Sequence, residues 1–268
     1  MKNKLSLTVL TLGFTFLYLP IALLIGYSFN ESRLVTVWSG FSTKWYGELF
    51  ADRQMMDAVW MSLKIAMSAA TAAVVLGTLA AFTLIRFGRF RGHTLFGGMI
   101  NAPLVMPDVI TGLALLLTFV AMGQVLGWPQ DRGALTIWMA HVTFCTAYVA
   151  IVVSARLKEM DASLEEAALD LGAPPFKVFW LVTLPIIAPS LAAGWLLAFT
   201  LSMDDLVIAS FVSGPGSTTL PMVVFSSVRL GVSPKINALA TLIVAVVAIA
   251  VLVAWWFARK AEKEQARA

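Results

Sequence analysis

Apolar residues run through this chain in long, rarely interrupted blocks, and the polar residues gather between them. The blocks lie at 5–29, 58–85, 95–122, 134–155, 186–212 and 236–257. An amphipathic helix of a soluble domain would alternate apolar and polar faces every three to four residues, whereas these blocks are apolar on all sides. A hydrocarbon core of about 30 Å needs about 20 helical residues, so each block predicts one membrane-spanning helix. Backbone polar groups in lipid must be satisfied within the segment, which makes the expected fold class all-α, a polytopic membrane protein with six transmembrane helices. The expected organisation is a first helix and outer segment at 1–57, a core membrane domain at 58–258 that carries a polar loop at 156–185, and a basic tail at 259–268.

Composition sharpens this picture. Of the 268 residues 59% are hydrophobic and 13% charged, with mean hydropathy +0.85, well away from the balance of a soluble domain. The net charge of +4 does not indicate a nucleic-acid partner, because the basic residues cluster at helix ends and form no stripe. With the N-terminus inside, twelve basic residues fall on the cytoplasmic side: Lys2, Lys4, Arg86, Arg89, Arg91, Arg156, Lys158, Lys177, Arg259, Lys260, Lys263 and Arg267. Six fall outside: Arg33, Lys44, Arg53, Arg132, Arg229 and Lys235. This bias predicts both termini in the cytoplasm. Trp60, Trp128, Trp255 and Trp256 stand near span ends, where an indole sits well in the interface. The first block follows Lys2 and Lys4 as a secretory signal would, but it is too long and lacks a small-residue cleavage site, so it reads as a retained span. The single cysteine, Cys145, excludes a disulfide framework or a thiolate metal site and reads as a packing residue.

The polar loop encodes a short helix with defined ends. Ser163 and Glu166 have the spacing of a capping box, and Glu165 and Glu166 suit a positive helix N-terminus. Gly172 suits a left-handed C′ position, and Pro174 and Pro175 prevent continuation. The prediction is about two turns at 164–171, then a second short helix begun by Pro175, set at an angle to the first, that runs to Leu184 and Pro185 at the start of span five. Eight residues are too few for a helix to persist alone, so it must dock on something. Ala167, Ala168 and Gly172 permit close approach, while Leu164 and Leu171 form an apolar seam. Two surfaces could meet that face: the protein's own bundle or a separate partner.

Glu166-Ala167-Ala168, three residues, Gly172, nine residues, and then Val182-Thr183-Leu184-Pro185 resembles the EAA loop of permease subunits of binding-protein-dependent ABC importers, E-A-A-x3-G-x9-I-x-L-P. Val182 in place of isoleucine is the one departure. Further stretches, among them "YSFNESRLVTVWSGFSTKWYGELF", "APLVMPDVITGLALLL" and "LSMDDLVIASFVSGPGSTTLPMVVFSSVRLGV", are similar to the polyamine branch of that family, above all its putrescine permeases. The resemblance implies the type I ABC importer permease (MetI-like) fold, with Glu165, Glu166, Ala167, Ala168, Gly172, Leu184 and Pro185 coupling the chain to an ATPase. It also implies a homologous six-span permease as partner, two cytoplasmic ATPase subunits holding ATP and magnesium, a periplasmic polyamine-binding protein, and a location in the bacterial inner membrane.

Ionisable groups within spans are costly and need a reason. Lys64 stands near a span end and can snorkel to the interface. Asp108 follows Pro107, with Pro103 a turn earlier, so span three is expected to break there, with Asp108 either capping the next helical piece or lining a pathway. Asp204 and Asp205 are adjacent and point about 100° apart on a helix, so one is expected to face a pathway and the other to cap or pair. Three acids make the membrane interior anionic, which suits a diamine cation. Asp108, Asp204, Asp205 and Ser202 are the candidate substrate residues. Asn101 and His141 read as helix-packing hydrogen-bond partners. The outer stretch "GPGSTTLPMVVFSSVRLGVSPK" has room for a short interfacial helix. No phosphate-binding loop, serine-nucleophile elbow or H-E-x-x-H pair occurs, so no enzymatic activity is expected of this chain. Two rival readings are a secondary carrier using the same acids, against which the two halves of the chain show no convincing self-similarity of the kind such carriers usually have, and a non-transport scaffold whose polar loop recruits a soluble partner.

Overall fold

The structure is a computed structural model that describes residues 2–34, 37–231 and 233–265. Among the described residues it is helical, with a lone antiparallel bridge between Asn30 and Phe41. Helices α1 (Lys2–Ser28), α2 (Lys44–Ala51) and α3 (Arg53–Arg86) are followed by α4 (His93–Val105), α5 (Asp108–Leu126) and α6 (Ala134–Glu159). The second half holds α7 (Ser163–Asp170), α8 (Pro175–Val178), a π-helical turn at Phe179–Thr183, α9 (Leu184–Asp204), α10 (Val207–Val212), α11 (Leu220–Leu230) and α12 (Pro234–Gln265). Six helices are long and apolar enough to cross a membrane, as the six blocks predict.

One expected break is met, and two boundaries differ from expectation. The block at 95–122 is two helices, because Pro107 lacks an N–H and the chain turns extended at Met106 and Pro107; only Asp108–Leu126 qualifies as a span. The block at 186–212 breaks at Asp205, whose extended backbone ends α9. The second short helix does not stand apart: α8 passes through the π turn directly into α9, giving one apolar helix over Pro175–Asp204. The basic tail continues α12 to Gln265, and 266–268 lie outside the described residues. Trp60, Trp128 and Trp256 are exposed, while the side chain of Trp255 lies outside the described residues.

The chain divides into two compact units, 1–56 with 224–268, and 57–223. In the first, α12 packs on α1 and α2. Its polar centre is Asn30, whose amide donates to the Val37 carbonyl at 2.7 Å and accepts from the Ser39 N–H at 3.0 Å, while its own carbonyl takes the Trp45 indole N–H at 2.6 Å. Lys235 and Asp52 form an ion pair at 3.0 Å.

The second unit is built on α6, 61% of whose apolar window is buried against 17% for α5. It packs against α9, α4 and α10, and α10 packs on α5. Small residues permit the tightest crossing. A Cβ on Gly77 of α3 would stand 2.8 Å from the Val149 side chain and 3.0 Å from the Ala150 nitrogen, and Gly194 of α9 faces Val149 from another side at 3.4 Å. Val149 is thus wedged between two glycines, with Ala69, Ala70, Ala73, Ala80 and Ala81 continuing the small face of α3. The Ser62 hydroxyl accepts the Leu220 N–H at 2.7 Å, so α3 caps the start of α11.

Candidate functional site

Two constellations carry the residues singled out in the sequence. The first is the loop between α6 and α9. Helix α7 forms over Ser163–Asp170, but without the expected capping box: Ala162 is the N-cap, and neither Ser163 nor Glu166 makes a capping contact. Asp161 supplies the start instead, its Oδ1 accepting the Ser163 N–H at 3.0 Å, and this bond holds the Asp161 carboxyl below its ordinary value. The end is as predicted. Gly172 is left-handed at φ 83°, the Gly172 N–H reaches the Leu169 carbonyl at 2.9 Å, and the Ala173 N–H reaches Ala168 at 3.1 Å. Pro175 occupies the first turn of α8, whose Lys177 and Val178 amides return to the Pro174 carbonyl.

Glu165 and Glu166 have opposite fates. Glu165 turns inward, where Oε2 meets Arg86 Nε at the end of α3 at 2.8 Å and Oε1 accepts the Thr183 hydroxyl at 2.5 Å. One carboxylate thereby ties α7 to α3 and to the π turn, and Phe179 packs edge-on against Phe82 with centroids 5.3 Å apart. Glu166, Ala167 and Gly172 are exposed, Ala168 is half-buried, and Leu184 and Pro185 form the first turn of α9. The apolar seam is left uncovered: Leu171 is 89% exposed, Phe176 and Leu181 both 73%, with Leu164 and Trp180 about half exposed. The loop is fastened to its own bundle through Glu165 and presents an apolar face that none of the described residues covers.

The second constellation is a cavity of about 310 Å³ lined by Asp108, Asp204, Asp205, Tyr148, Phe144 and the start of α10. Asp108 is the first residue of α5, and Asp204 the last of α9; both are exposed. Asp205 is half withdrawn from the cavity. Its Oδ1 accepts the Ile208 N–H at 3.2 Å, and its Oδ2 accepts the Ala209 N–H at 2.7 Å and faces His141 Nε2 at 3.2 Å. His141 Nδ1 lies 2.6 Å from the Ser202 hydroxyl, and both side chains are buried. Ser202, a sequence candidate for the pathway, is therefore engaged with His141 and does not line the cavity. His141 is a packing partner as expected, though its partner is the pathway candidate Asp205. Helix α10 is only six residues long and is held at both ends, by Asp205 at its start and by the Thr136 hydroxyl on the Val212 carbonyl at 2.7 Å. Lys64 is exposed.

Sequence reasoning missed the Arg86–Glu165–Thr183 tie, which joins residues far apart in the chain. It also missed the break at Asp205, for which a signal existed: an aspartate just before the apolar run Leu206 to Ala209 is a helix-start pattern. Among the described residues no group of His, Cys, Asp and Glu could hold a metal ion, and Cys145 is buried with its thiol toward the Ala198 carbonyl.

The chain matches the model of the family "binding-protein-dependent transport system inner membrane component" over residues 73–264. It is 66% identical over 266 residues to the putrescine transport system permease protein PotI of Escherichia coli (strain K12), covering 99% of this chain and 95% of that protein. It is 40% identical over 254 residues to the spermidine/putrescine transport system permease protein PotC of the same organism, covering 95% and 94%. Among solved structures, a bacterial alginate ABC transporter in complex with a pentasaccharide-bound periplasmic protein superposes with TM-score 0.71 at 16% identity, over 94% of this chain and 93% of that one. The MetNI methionine ABC transporter gives TM-score 0.60 at 16% identity, over 76% and 95%. The six spans, the exposed loop and these likenesses lead to one assignment: the chain belongs to the inner-membrane components of binding-protein-dependent transport systems, and is a multi-pass permease subunit of an ABC importer, not an enzyme.

Proposed function

We propose that this permease moves a polyamine, putrescine above all, from a periplasmic binding protein into the cytoplasm. The observation that carries the substrate class is the 66% identity to a putrescine permease along nearly the whole of both chains. The acid-lined cavity supports it: Asp108 and Asp204 face one space from two helix ends, and Tyr148 and Phe144 add aromatic faces. An alkane chain with an ammonium at each end is matched by carboxylates and aromatic walls. In this reading Asp108 and Asp204 offer transient, weak contacts along the route.

The working assembly pairs this chain with a homologous six-span permease, two cytoplasmic ATPase subunits that hold ATP and magnesium, and a polyamine-binding protein outside. Both termini lie in the cytoplasm in this reading, which the basic-residue bias supports. The exposed apolar face around Leu171 and Phe176, with Glu166, Ala167, Ala168 and Gly172 beside it, is the seat for an ATPase subunit. Leu184 and Pro185 carry its movement into α9. Glu165 acts from the inner side of the loop as its anchor.

The test is ATP-driven uptake by the reconstituted assembly with radiolabelled putrescine, challenged with unlabelled putrescine or spermidine. Putrescine should compete best, and Asp108→Asn and Asp204→Asn should each cut the rate about tenfold, near 1.4 kcal/mol. Spermidine competing best would favour the second reading, to which the 40% identity with a spermidine/putrescine permease points. Full rates in both variants would remove the cavity from the route.

A further inference from the structure

We propose that His141 is a positioning residue for transport, and that Asp205 serves with it as the clamp of the α9–α10 break while Asp204 alone of the two acids meets the cation. The inference rests on the cavity being the cation route, as proposed above. Its grounds are the unequal surroundings of two adjacent carboxylates.

The Asp205 carboxylate is already provided for. Two backbone N–H groups, of Ile208 and Ala209, and His141 Nε2 point at its two oxygens. Its side chain is 9% exposed and that of His141 1%. An ammonium could reach Asp205 only by displacing donors that hold the start of α10, and each donor lost would leave a backbone amide without a partner in the interior. Asp204, by contrast, ends α9 exposed on the cavity, with Asp108 across it.

His141 links three elements. It projects from the buried face of α6, its Nδ1 faces Ser202 in the last turn of α9, and its Nε2 faces Asp205 just beyond that helix. With Nε2 donating to the carboxylate, Nδ1 is left to accept the Ser202 hydroxyl proton, so one imidazole satisfies both neighbours. The backbone at Asp205 is extended, and its direction there decides where Asp204 points. Among the described residues, Asp204, Asp205 and Asp108 are the acidic side chains that line this cavity, with Tyr148 beside them, and Cys145 lies buried on the adjacent turn of α6. His141 therefore acts on transport through Asp205 and the break, without touching the cavity.

The test uses the complete transporter in proteoliposomes with saturating binding protein, reading putrescine uptake, ATPase activity, and hydrogen exchange of the Ile208 and Ala209 amides. His141→Phe, which removes both ring nitrogens at similar volume, should lower uptake about tenfold and speed exchange at both amides. Asp205→Asn on top of it should add less than about twofold, since the two act as one unit. His141→Gln, which can still donate toward Asp205, should restore uptake to within about threefold of the native rate. Asp204→Asn should lower uptake with both amides still protected, and its loss should multiply with that of His141→Phe. If His141→Phe fails to assemble, Ser202→Ala takes its place in the same comparison. The proposal is overturned if exchange at Ile208 and Ala209 is unchanged by the His141 or Ser202 variant, if the His141 and Asp205 losses multiply as independent ones, or if His141→Gln is as impaired as His141→Phe. Unchanged uptake in Asp204→Asn would instead sink the route reading, while the exchange data would still judge the clamp.

Discussion

Two adjacent pairs of acids, Glu165 with Glu166 and Asp204 with Asp205, are split the same way, with one member turned in and bound and the other left exposed. The split of Asp204 and Asp205 was foreseen from the angle between neighbours on a helix, but which acid takes which part was not, nor was the split of Glu165 and Glu166, because the partners that decide them, Arg86, Thr183 and His141, are brought in by tertiary contact. The type of each position was legible: acids beside or inside apolar blocks need a reason to be there. For Glu165 the consequence is mechanical. Glu165→Gln should weaken the tie by about 1 to 3 kcal/mol, lowering uptake severalfold with the ATPase still bound. Arg86→Gln should do the same, and the double variant should be little worse than either. An additive double variant in the same uptake assay would show that the two side chains act separately. A second ion pair gives a pH dependence. The hydrogen bond from Lys235 holds the Asp52 carboxyl below its ordinary value, so the pair's contribution is complete above the ordinary carboxylate pKa and is lost as pH falls through the lowered one. Both side chains are partly exposed, which limits that contribution to about 1 kcal/mol or less. Lys235→Met should lower the thermal midpoint of the purified permease near neutral pH, by an amount that shrinks as the pH falls through the lowered Asp52 value, checked by a melting series into the acid range.

At the scale of elements, the pattern of blocks placed all six spans, because a long apolar helix is dictated by local composition. Its errors fall where a helix stops inside an apolar block. Met106 and Pro107 were foreseen, since proline's missing N–H is visible in the sequence. The break at Asp205 is stabilised by His141 from another helix, and so leaves only a faint local signal. The failed capping box has a local cause instead: Asp161, two residues earlier, takes the Ser163 amide first. Helix crossings were the least legible feature. Nothing local says that Gly77 of α3 and Gly194 of α9 both face Val149, though the run of alanines on α3 hinted at a close neighbour. Gly77→Val should be among the more damaging single changes in the second unit, since added carbons meet the Val149 side chain and the backbone at Ala150, which cannot move aside. Overpacking of this kind costs about 1 to 3 kcal/mol. Gly77→Val combined with Val149→Ala should recover much of that loss, read as the yield and melting temperature of the assembled transporter.

For the molecule as a whole, the exposed apolar surface is of two kinds that composition alone does not separate. Helix α1 has no buried residue in its apolar window, as expected of a span that faces lipid. The face formed by Leu164 and Leu171 on the polar loop, beside Glu166 and Asp170, and by Phe176, Trp180 and Leu181 on the first turns of the helix that leaves it, is instead covered by none of the described residues. A cluster of large side chains at that exposure, on a segment tied down at Glu165, has the form of a preorganised contact for another protein. The helix is too short to hold its shape unaided, so its anchoring to the bundle is what would let it pass on a push. Single cysteines at Ala167 or Gly172, in a Cys145→Ala background, should crosslink to an ATPase subunit and be labelled by an impermeant reagent only from the cytoplasmic side. Leu171→Asp or Phe176→Asp should weaken recovery of the ATPase with the purified permease by about 2 kcal/mol or more, the scale of a central contact, while α7 retains its Gly172 stop and its Glu165 tie. Labelling of both cysteines from the periplasmic side would reverse the topology and place this face against the binding protein instead.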